Sequence, residues 1–326
     1  MKLPVLITPG DPSGIGPEIT LKSWVYGLKN MVVIGNIEHL TDVAKNCSIK
    51  VKFSEFDKSA KFLLNPNECK VININWPDKV IAGKPSKKNA LTIIKSIKNA
   101  VNLLKLNKFS GIVTNPISKS VLYSKNFNFP GQTEFLKSLD KTNNISVMML
   151  MNDSLKTVPL TTHIPLSKVE ELISAKKIEE TLEVIDREMK RYFRIKNPKI
   201  AVCGLNPHAG ENGNIGEFEI KVLIPVLEKL RFKNLNIFGP FSSDSLFHSD
   251  ARNKFDVILA MYHDQALIPV KTIGFYESIN LTLGLSFIRT SPDHGTAFDI
   301  AGKFQARPDS MIEAIKLVEK INKNLI

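Results

Sequence analysis

The stretch SKKNALTIIKSIKNAVNLLKLNKFSGIVTNPIS, residues 86–118, decides the fold class. Ser86 is suited to an N-cap, and Ala90, Ile94, Ile97, Val101 and Leu104 recur at the spacing that gives a helix one apolar face. The run Gly111–Thr114 is too short and too uniformly apolar for a second helix and reads as a buried strand. A polar turn, Asn115-Pro116-Ile117-Ser118, closes the unit. The same order recurs in both directions. Further strands are predicted at 3–7, 31–34, 71–74, 147–151, 156–160, 199–203, 236–239, 256–260 and 285–289. Helices are predicted at 17–28, 178–192, 218–230 and from 310 to the C-terminus. Such alternation points to α/β architecture, and a length of 326 residues favours two domains over one.

Composition removes several classes of protein. Three cysteines without a CxxC pair supply neither a disulfide framework nor a thiolate zinc site. The N-terminal apolar run ends at Pro9-Gly10-Asp11-Pro12, too soon for a signal peptide, and no stretch is long enough to span a membrane, so a soluble cytoplasmic protein is expected. The net charge of +12 invites a nucleic-acid reading. Only seven of the 44 basic residues are Arg, however, and the lysines are scattered without aromatic partners. That pattern describes a solvated surface, and no nucleic-acid partner is expected.

Turn-rich segments follow the predicted strands at 8–17, 114–118, 204–216, 239–244, 262–265 and 290–299. In α/β sheets ligands bind beyond the carboxyl ends of strands, so these segments are candidate site walls. Three histidines, His163, His208 and His263, lie one to five residues past strand ends. If those strands are neighbours, three neutral imidazoles can meet at one divalent cation and leave positions open for substrate. Asp244 and Asp264 are candidate outer partners. A loop histidine is more often only a hydrogen-bonding polar residue, and the wide spacing matches no local metal motif.

A second polar cluster gathers Lys271, Asn280, Arg289, Thr290, Ser291, Asp293, His294, Gly295, Thr296 and Asp299. Arg289, placed at a strand end, is suited to a two-pronged grip on carboxylate or phosphate, and Lys271 can add a point charge. Neither Thr8–Pro17 nor Asn206–Gly213 is a Walker loop, and no GxGxxG follows a predicted strand, so a plain Rossmann domain is disfavoured.

Five motifs in order, TPGDPSGIGPE (8–18), TNPISK (114–119), CGLNPHAGE (203–211), MYHDQ (261–265) and FIRTSPDHGTA (287–297), resemble the 4-hydroxythreonine-4-phosphate dehydrogenase family over nearly the whole chain. The resemblance implies an isocitrate/isopropylmalate dehydrogenase-like α/β fold with two lobes around a central cleft. The lobes are expected at 1–130 plus 292–326, which holds both termini, and at 131–291. It further implies a homodimer sharing a metal site, with His163, His208 and His263 as ligands, one of them from the partner subunit. Substrate contacts are carried over to Thr133, Lys271, Asn280 and Arg289. The segment Asp293–Lys303, with Asp293, His294, Gly295, Thr296, Ala297 and Asp299, resembles the adenine-side NAD loop of β-hydroxyacid dehydrogenases.

The implied reaction is oxidation of a small phosphorylated hydroxy-amino acid, 4-phosphohydroxy-L-threonine, followed by decarboxylation to 3-amino-2-oxopropyl phosphate. NAD or NADP is the oxidant, and Zn²⁺, Co²⁺, Ni²⁺, Mg²⁺ or Mn²⁺ is the metal. Asp244 and Lys271 are the candidate groups for moving the hydroxyl proton. The chain departs from the family pattern at Gln132, where His is usual, and at Ala266, where Gly is usual. Gln132 can hydrogen-bond substrate but cannot be cationic, which keeps open an alternative, a paralogue oxidising a threonate or erythronate phosphate. Metal-assisted hydrolysis is a further alternative, and it would leave the 293–303 loop unexplained.

Overall fold

Ser86 starts the helix as its position requires: its hydroxyl accepts the Lys88 amide at 3.3 Å, and a single 3-10 turn over Lys87–Asn89 runs into the helix Ala90–Leu104. The buried stripe includes Ile93, Ile97, Ala100, Val101 and Leu104, whereas Ile94 is only half-buried. The apolar face is thus rotated by one residue from the expected one at that turn. This computed structural model describes residues 3–56 and 67–325.

Along the chain the strands are β1 (Val5–Thr8), β2 (Met31–Gly35), β3 (Lys52–Glu55), β4 (Glu68–Asn73), β5 (Gly111–Thr114), β6 (Val147–Met151), β7 (Lys156–Pro159), β8 (Ile200–Cys203), β9 (Ile237–Phe241), β10 (Val257–Ala260), β11 (Ile279–Leu283) and β12 (Arg289–Pro292). The longer helices are α1 (Gly16–Val25), α2 (Ile37–Asn46), α3 (Ala90–Leu104), α4 (Gln132–Asp140), α5 (Ala175–Phe193), α6 (Ile224–Phe232), α7 (His263–Ile273) and α8 (Asp309–Leu325). None of the described helices is long and apolar enough to cross a membrane.

One expected strand is displaced. Residues 285–288 are not strand, and β12 begins at Arg289 instead of ending there. Gly284, at φ +84°, bends the chain after β11, and the Ser286 amide and hydroxyl are held by the buried carboxylate of Asp140. Five of these elements escaped the sequence reading: α2, α4, β3, β11 and α7. Strand β3 is short and charged, β11 carries Asn280 and Thr282 within its apolar run, and Pro269 interrupts the helical pattern of α7.

The chain forms two compact units, Met1–Thr142 with Leu285–Lys323, and Asn143–Gly284 with Asn324–Ile326. The divisions fall after Thr142 and Gly284 rather than after 130 and 291. Gln132, Thr133 and Arg289 therefore belong to the first unit. Its strands run in the order β3-β4-β2-β1-β5-β12, with every pairing parallel. Strands covered on both faces should be apolar throughout, and Val5, Leu6 and Ile7 are fully buried. The chain leaves β1 toward β2 on one side, while β5 lies on the other, so a crevice opens beyond the ends of β1 and β5.

The second unit has the order β11-β6-β7-β10-β8-β9. The β11–β6 and β6–β7 pairings are antiparallel, and β7, β10, β8 and β9 are parallel neighbours. Its switch point lies between β8 and β10. Ala201, Cys203, Ile258, Ala260, Ala266 and Val270 form a buried cluster beneath it. Ala266, where the resemblance leads to an expectation of Gly, is fully buried there, and its methyl group is accommodated by the core.

Two stability measurements follow from this packing. In urea unfolding, Ile93→Ala costs about 2–5 kcal/mol, and Ile94→Ala less than half as much, because only Ile93 is fully buried; equal losses would contradict the observed stripe. The second concerns Asp11, 2% exposed, whose Oδ1 accepts the Ser13 amide at 3.0 Å while Oδ2 has no hydrogen-bond partner among the described residues. Burial raises its pKa, and the Ser13 amide only partly opposes the shift. A carboxyl whose folded pKa is raised favours folding at low pH and opposes it once ionised. Asp11→Asn is therefore expected to raise the melting temperature at pH 7, with an advantage that vanishes below about pH 4; an advantage independent of pH would refute this origin.

Candidate active site

In the first unit three of the motif segments meet at the β1/β5 crevice. The Asp11 amide donates to the Pro116 carbonyl at 2.9 Å, and the Ile15 amide to the Thr296 carbonyl at 3.0 Å. Asn115 donates through Nδ2 to the Thr8 carbonyl and to Thr20 Oγ1, both at 2.9 Å. Close approach explains two of the glycines. A Cβ on Gly14 would stand 2.7 Å from the Thr296 carbonyl oxygen, and one on Gly10, at φ +65°, 2.5 Å from that of Pro116.

The loop 293–303 is held at both ends. At its start the Asp293 amide donates to Ser310 Oγ at 3.0 Å, at the beginning of α8. Beyond its end, Lys22 of α1 donates to the carbonyls of Phe304 at 3.0 Å and Ala306 at 2.8 Å. Buried Glu18 accepts from both Lys22 and the Ala306 amide. Between these anchors Gly295 and Asp299 are exposed, and a Cβ on Gly295 would meet nothing within 4 Å. His294 Nδ1 lies 3.0 Å from the Gly295 carbonyl, so Nδ1 is the donor. A fixed loop with an open glycine tip suits close approach of a ligand to its backbone.

Arg289 stands in the same unit, 4% exposed. Its Nε and Nη2 donate to Thr114 Oγ1 at 3.1 and 2.8 Å, and its Nη1 donates to Thr133 Oγ1 at 3.2 Å. Burial pushes the guanidinium down to about 10, with Glu134 opposing, so it is still cationic at neutral pH. Both threonine oxygens are neutral acceptors that orient the guanidinium. Thr133 lies in the first turn of α4, whose N-cap, Gly131, provides no capping side chain, so the first-turn amides add a positive end that the Glu134 carboxylate beside Gly131 partly offsets. Gln132 Nε2 is buried there without a hydrogen-bond partner among the described residues. A buried cation, first-turn amides and a spare amide donor form a cradle for an oxyanion. Thr114 was not among the predicted contacts; its place at the end of β5, opening the TNPISK motif, was the available signal.

In the second unit His163, His263, His208 and Asp244 follow β7, β10, β8 and β9, four consecutive parallel strands. The strands are neighbours, as convergence would require, yet the side chains do not all meet. His163 and His263 face each other with ring centroids 5.7 Å apart. His208, at φ +51° in a left-handed run over 208–212, is instead near enough to Asp244 to help lower its pKa. The leading cause of that lowering is the Ser242 hydroxyl, which donates to Asp244 Oδ1. No three His, Cys, Asp or Glu side chains among the described residues gather closely enough to enclose a cation.

The His163–His263 pair nevertheless fits a divalent ion. Nδ1 of His263 lies 2.7 Å from Asp264 Oδ1, and since a carboxylate accepts, Nδ1 is the donor and Nε2 is the nitrogen left to face a metal. The two rings, with Thr161, Ile164 and Tyr262, line a pocket of about 240 Å³. Lys271 is two turns along α7 on the same face as His263, with Nζ 5.7 Å from the centroid of the Phe275 ring. Asn280 lies on β11 opposite Leu150, and its Oδ1 is buried without a hydrogen-bond partner among the described residues.

Comparison with known proteins agrees with these motifs. The family model described as pyridoxal phosphate biosynthetic protein PdxA matches residues 27–318. A 4-hydroxythreonine-4-phosphate dehydrogenase of Methylorubrum extorquens is 42% identical, covering 98% of this chain and 94% of that protein. That of Caulobacter vibrioides is 40% identical, covering 98% and 97%. The crystal structure of 4-hydroxythreonine-4-phosphate dehydrogenase from Klebsiella pneumoniae superposes with a TM-score of 0.90 at 35% identity, covering 99% of this chain and 98% of that one. With the motifs, the α/β fold and near full-length identity in agreement, this chain belongs to the PdxA family of pyridoxal phosphate biosynthetic proteins and is an oxidoreductase.

Proposed function

We propose that the chain oxidises the C3 hydroxyl of 4-phosphohydroxy-L-threonine with NAD or NADP, giving 2-amino-3-oxo-4-phosphooxybutanoate, which loses CO₂ to yield 3-amino-2-oxopropyl phosphate. The observation that carries the reading is the buried Arg289 beside the first turn of α4, a place built for an anionic group. Phosphate is the group assigned to it. Thr133 fixes the guanidinium, and Gln132 donates its spare amide proton to the same anion. Lys271 and Asn280 are assigned as further substrate contacts. The segment 293–303 binds the dinucleotide, with Asp293, His294, Gly295, Thr296, Ala297 and Asp299 as its contacts. When bound, the dinucleotide accepts the hydride from C3.

His163, His208 and His263 would hold the divalent cation, Zn²⁺, Mg²⁺ or Co²⁺, whose Lewis acidity lowers the pKa of the substrate hydroxyl. One of the three comes from a second copy of the chain. An exposed apolar surface on and just after α7, with Ile268 and Phe275 more than half exposed, supports a homodimer. The setting proposed for this dimer is the cytoplasm. Asp244 lies below the ordinary carboxylate range, which suits it to orienting a neighbour more than to holding a proton. That leaves Lys271, directly or through water, to move the hydroxyl proton. Once C3 is a ketone, decarboxylation proceeds because the electrons released at C2 are delocalised into it.

The test is absorbance of reduced nicotinamide when protein, Co²⁺ or Zn²⁺ and either NAD⁺ or NADP⁺ are mixed with 4-phosphohydroxythreonine. Reduction is expected; reduction only with a threonate or erythronate phosphate moves the assignment to that paralogous activity, and silence with all of them overturns the dehydrogenase reading. Replacing the fork by a point charge tests the anion cradle. Arg289→Lys is expected to lower kcat/KM about a hundredfold, on the scale of two lost charge-assisted bonds, with dinucleotide affinity unchanged. Wild-type kcat/KM in that variant would remove Arg289 from the substrate site.

A further inference from the structure

At the β8/β10 switch point the paired strands end and the chain leaves them by separate connections. The Gln265 side chain bridges the loops beyond them. Gln265, the third residue of α7, accepts the Met261 amide on Oε1 at 2.6 Å. Its Nε2 donates to the Gly204 carbonyl at 2.9 Å and to Ser243 Oγ at 2.7 Å. The orientation of the carboxamide is unambiguous, because a backbone N–H can only donate and a backbone carbonyl can only accept. Met261 in turn offers its carbonyl to Thr161 Oγ1 at 2.8 Å. One hydrogen-bonded chain therefore runs Thr161–Met261–Gln265–Gly204 with Ser243 as a branch, and touches the ends of all four parallel strands. Each link lies within four residues of His163, His263, His208 or Asp244.

We propose that Gln265 is a positioning residue for cation binding: its carboxamide holds in place the loops that carry His208, Asp244 and His263, each of which presents its side chain to a cation shared with a second copy of the chain. The proposal rests on the reading that these histidines hold a divalent cation. Gln265 reaches no proposed ligand atom and acts through the backbone of their loops. The chemistry required is narrow. The side chain must accept once and donate twice while uncharged, which excludes Glu, and it must span from α7 to Gly204, which excludes Asn, one methylene shorter. Groups of this kind around metal ligands typically govern affinity by a factor of about ten to a hundred when removed.

The experiment titrates the full-length protein with Co²⁺ against a competing chelator, recording the visible Co²⁺ spectrum and the melting temperature of the metal-free protein. Gln265→Met preserves shape and removes all three bonds; Gln265→Asn preserves the amide but not its reach, and serves if the Met variant does not fold. Both are expected to raise the apparent Kd for Co²⁺ roughly tenfold to a hundredfold and to change the band shape of the bound ion. Wild-type affinity and band shape in folded variants, whatever the change in melting temperature, would make Gln265 a purely structural tether and overturn the proposal. A wild-type protein that binds no Co²⁺ would instead overturn the metal reading itself.

Discussion

Parallel pairing is the constraint from which the site derives. When neighbouring strands run the same way, all their carboxyl ends emerge along one edge of the sheet, and every connection must begin there. In the first unit this brings the segments after β1 and β5 together, so that residues far apart in sequence, such as Asp11 and Asn115, can belong to one crevice. In the second unit it aligns the segments after β7, β10, β8 and β9, and with them three histidines and an aspartate. Each unit thereby owns one switch point, and the polar residues that the strands themselves cannot carry are concentrated beyond it.

Such crevices are costly places in which to put polar groups. Arg289, Asp11 and Asn115 are each at most 4% exposed, and atoms of Asp11, Asn115 and Gln132 lack hydrogen-bond partners among the described residues. Each buried unsatisfied group opposes folding by about 1–3 kcal/mol. The apolar strands beneath offset this, since fully burying side chains of the size of Leu6, Ile7 and Ile112 contributes about 1.5–3 kcal/mol apiece. The contrast between a saturated core and an undersatisfied rim is the mark of a surface shaped for a ligand more than for its own stability.

How much of this the sequence disclosed depends on the kind of signal. Strands β5 and β6 were legible to the residue, because four or five consecutive apolar positions bounded by turns admit few other readings. The start of β12 was not, because it is set by the turn at Gly284 and the grip of Asp140 on Ser286, both tertiary. Among the expected site residues, Arg289 and Thr133 meet, and His163 and His263 are paired. His208 separates from that pair because five residues of loop, with backbone in the left-handed region, turn it toward Asp244. No periodicity encodes that excursion. Thr114 and Gln265 were within recognised motifs, but their roles come from bonds to residues 175 and 61 positions away.

The same distinction governs the charge of +12. Many lysines are absorbed by local exposed ion pairs, such as Lys190 with Asp186 and Lys229 and Lys233 with Glu179, which salt screens and which discriminate little among ligands. Arg289 differs in kind: buried, fixed by two threonines and cationic at neutral pH, it acts where water cannot screen it. In the proposed reading, recognition of an anionic substrate depends far more on where one guanidinium is buried than on the surplus of lysines around it. A surface made neutral by substitution would slow the approach of anionic ligands while leaving the geometry of the cradle intact.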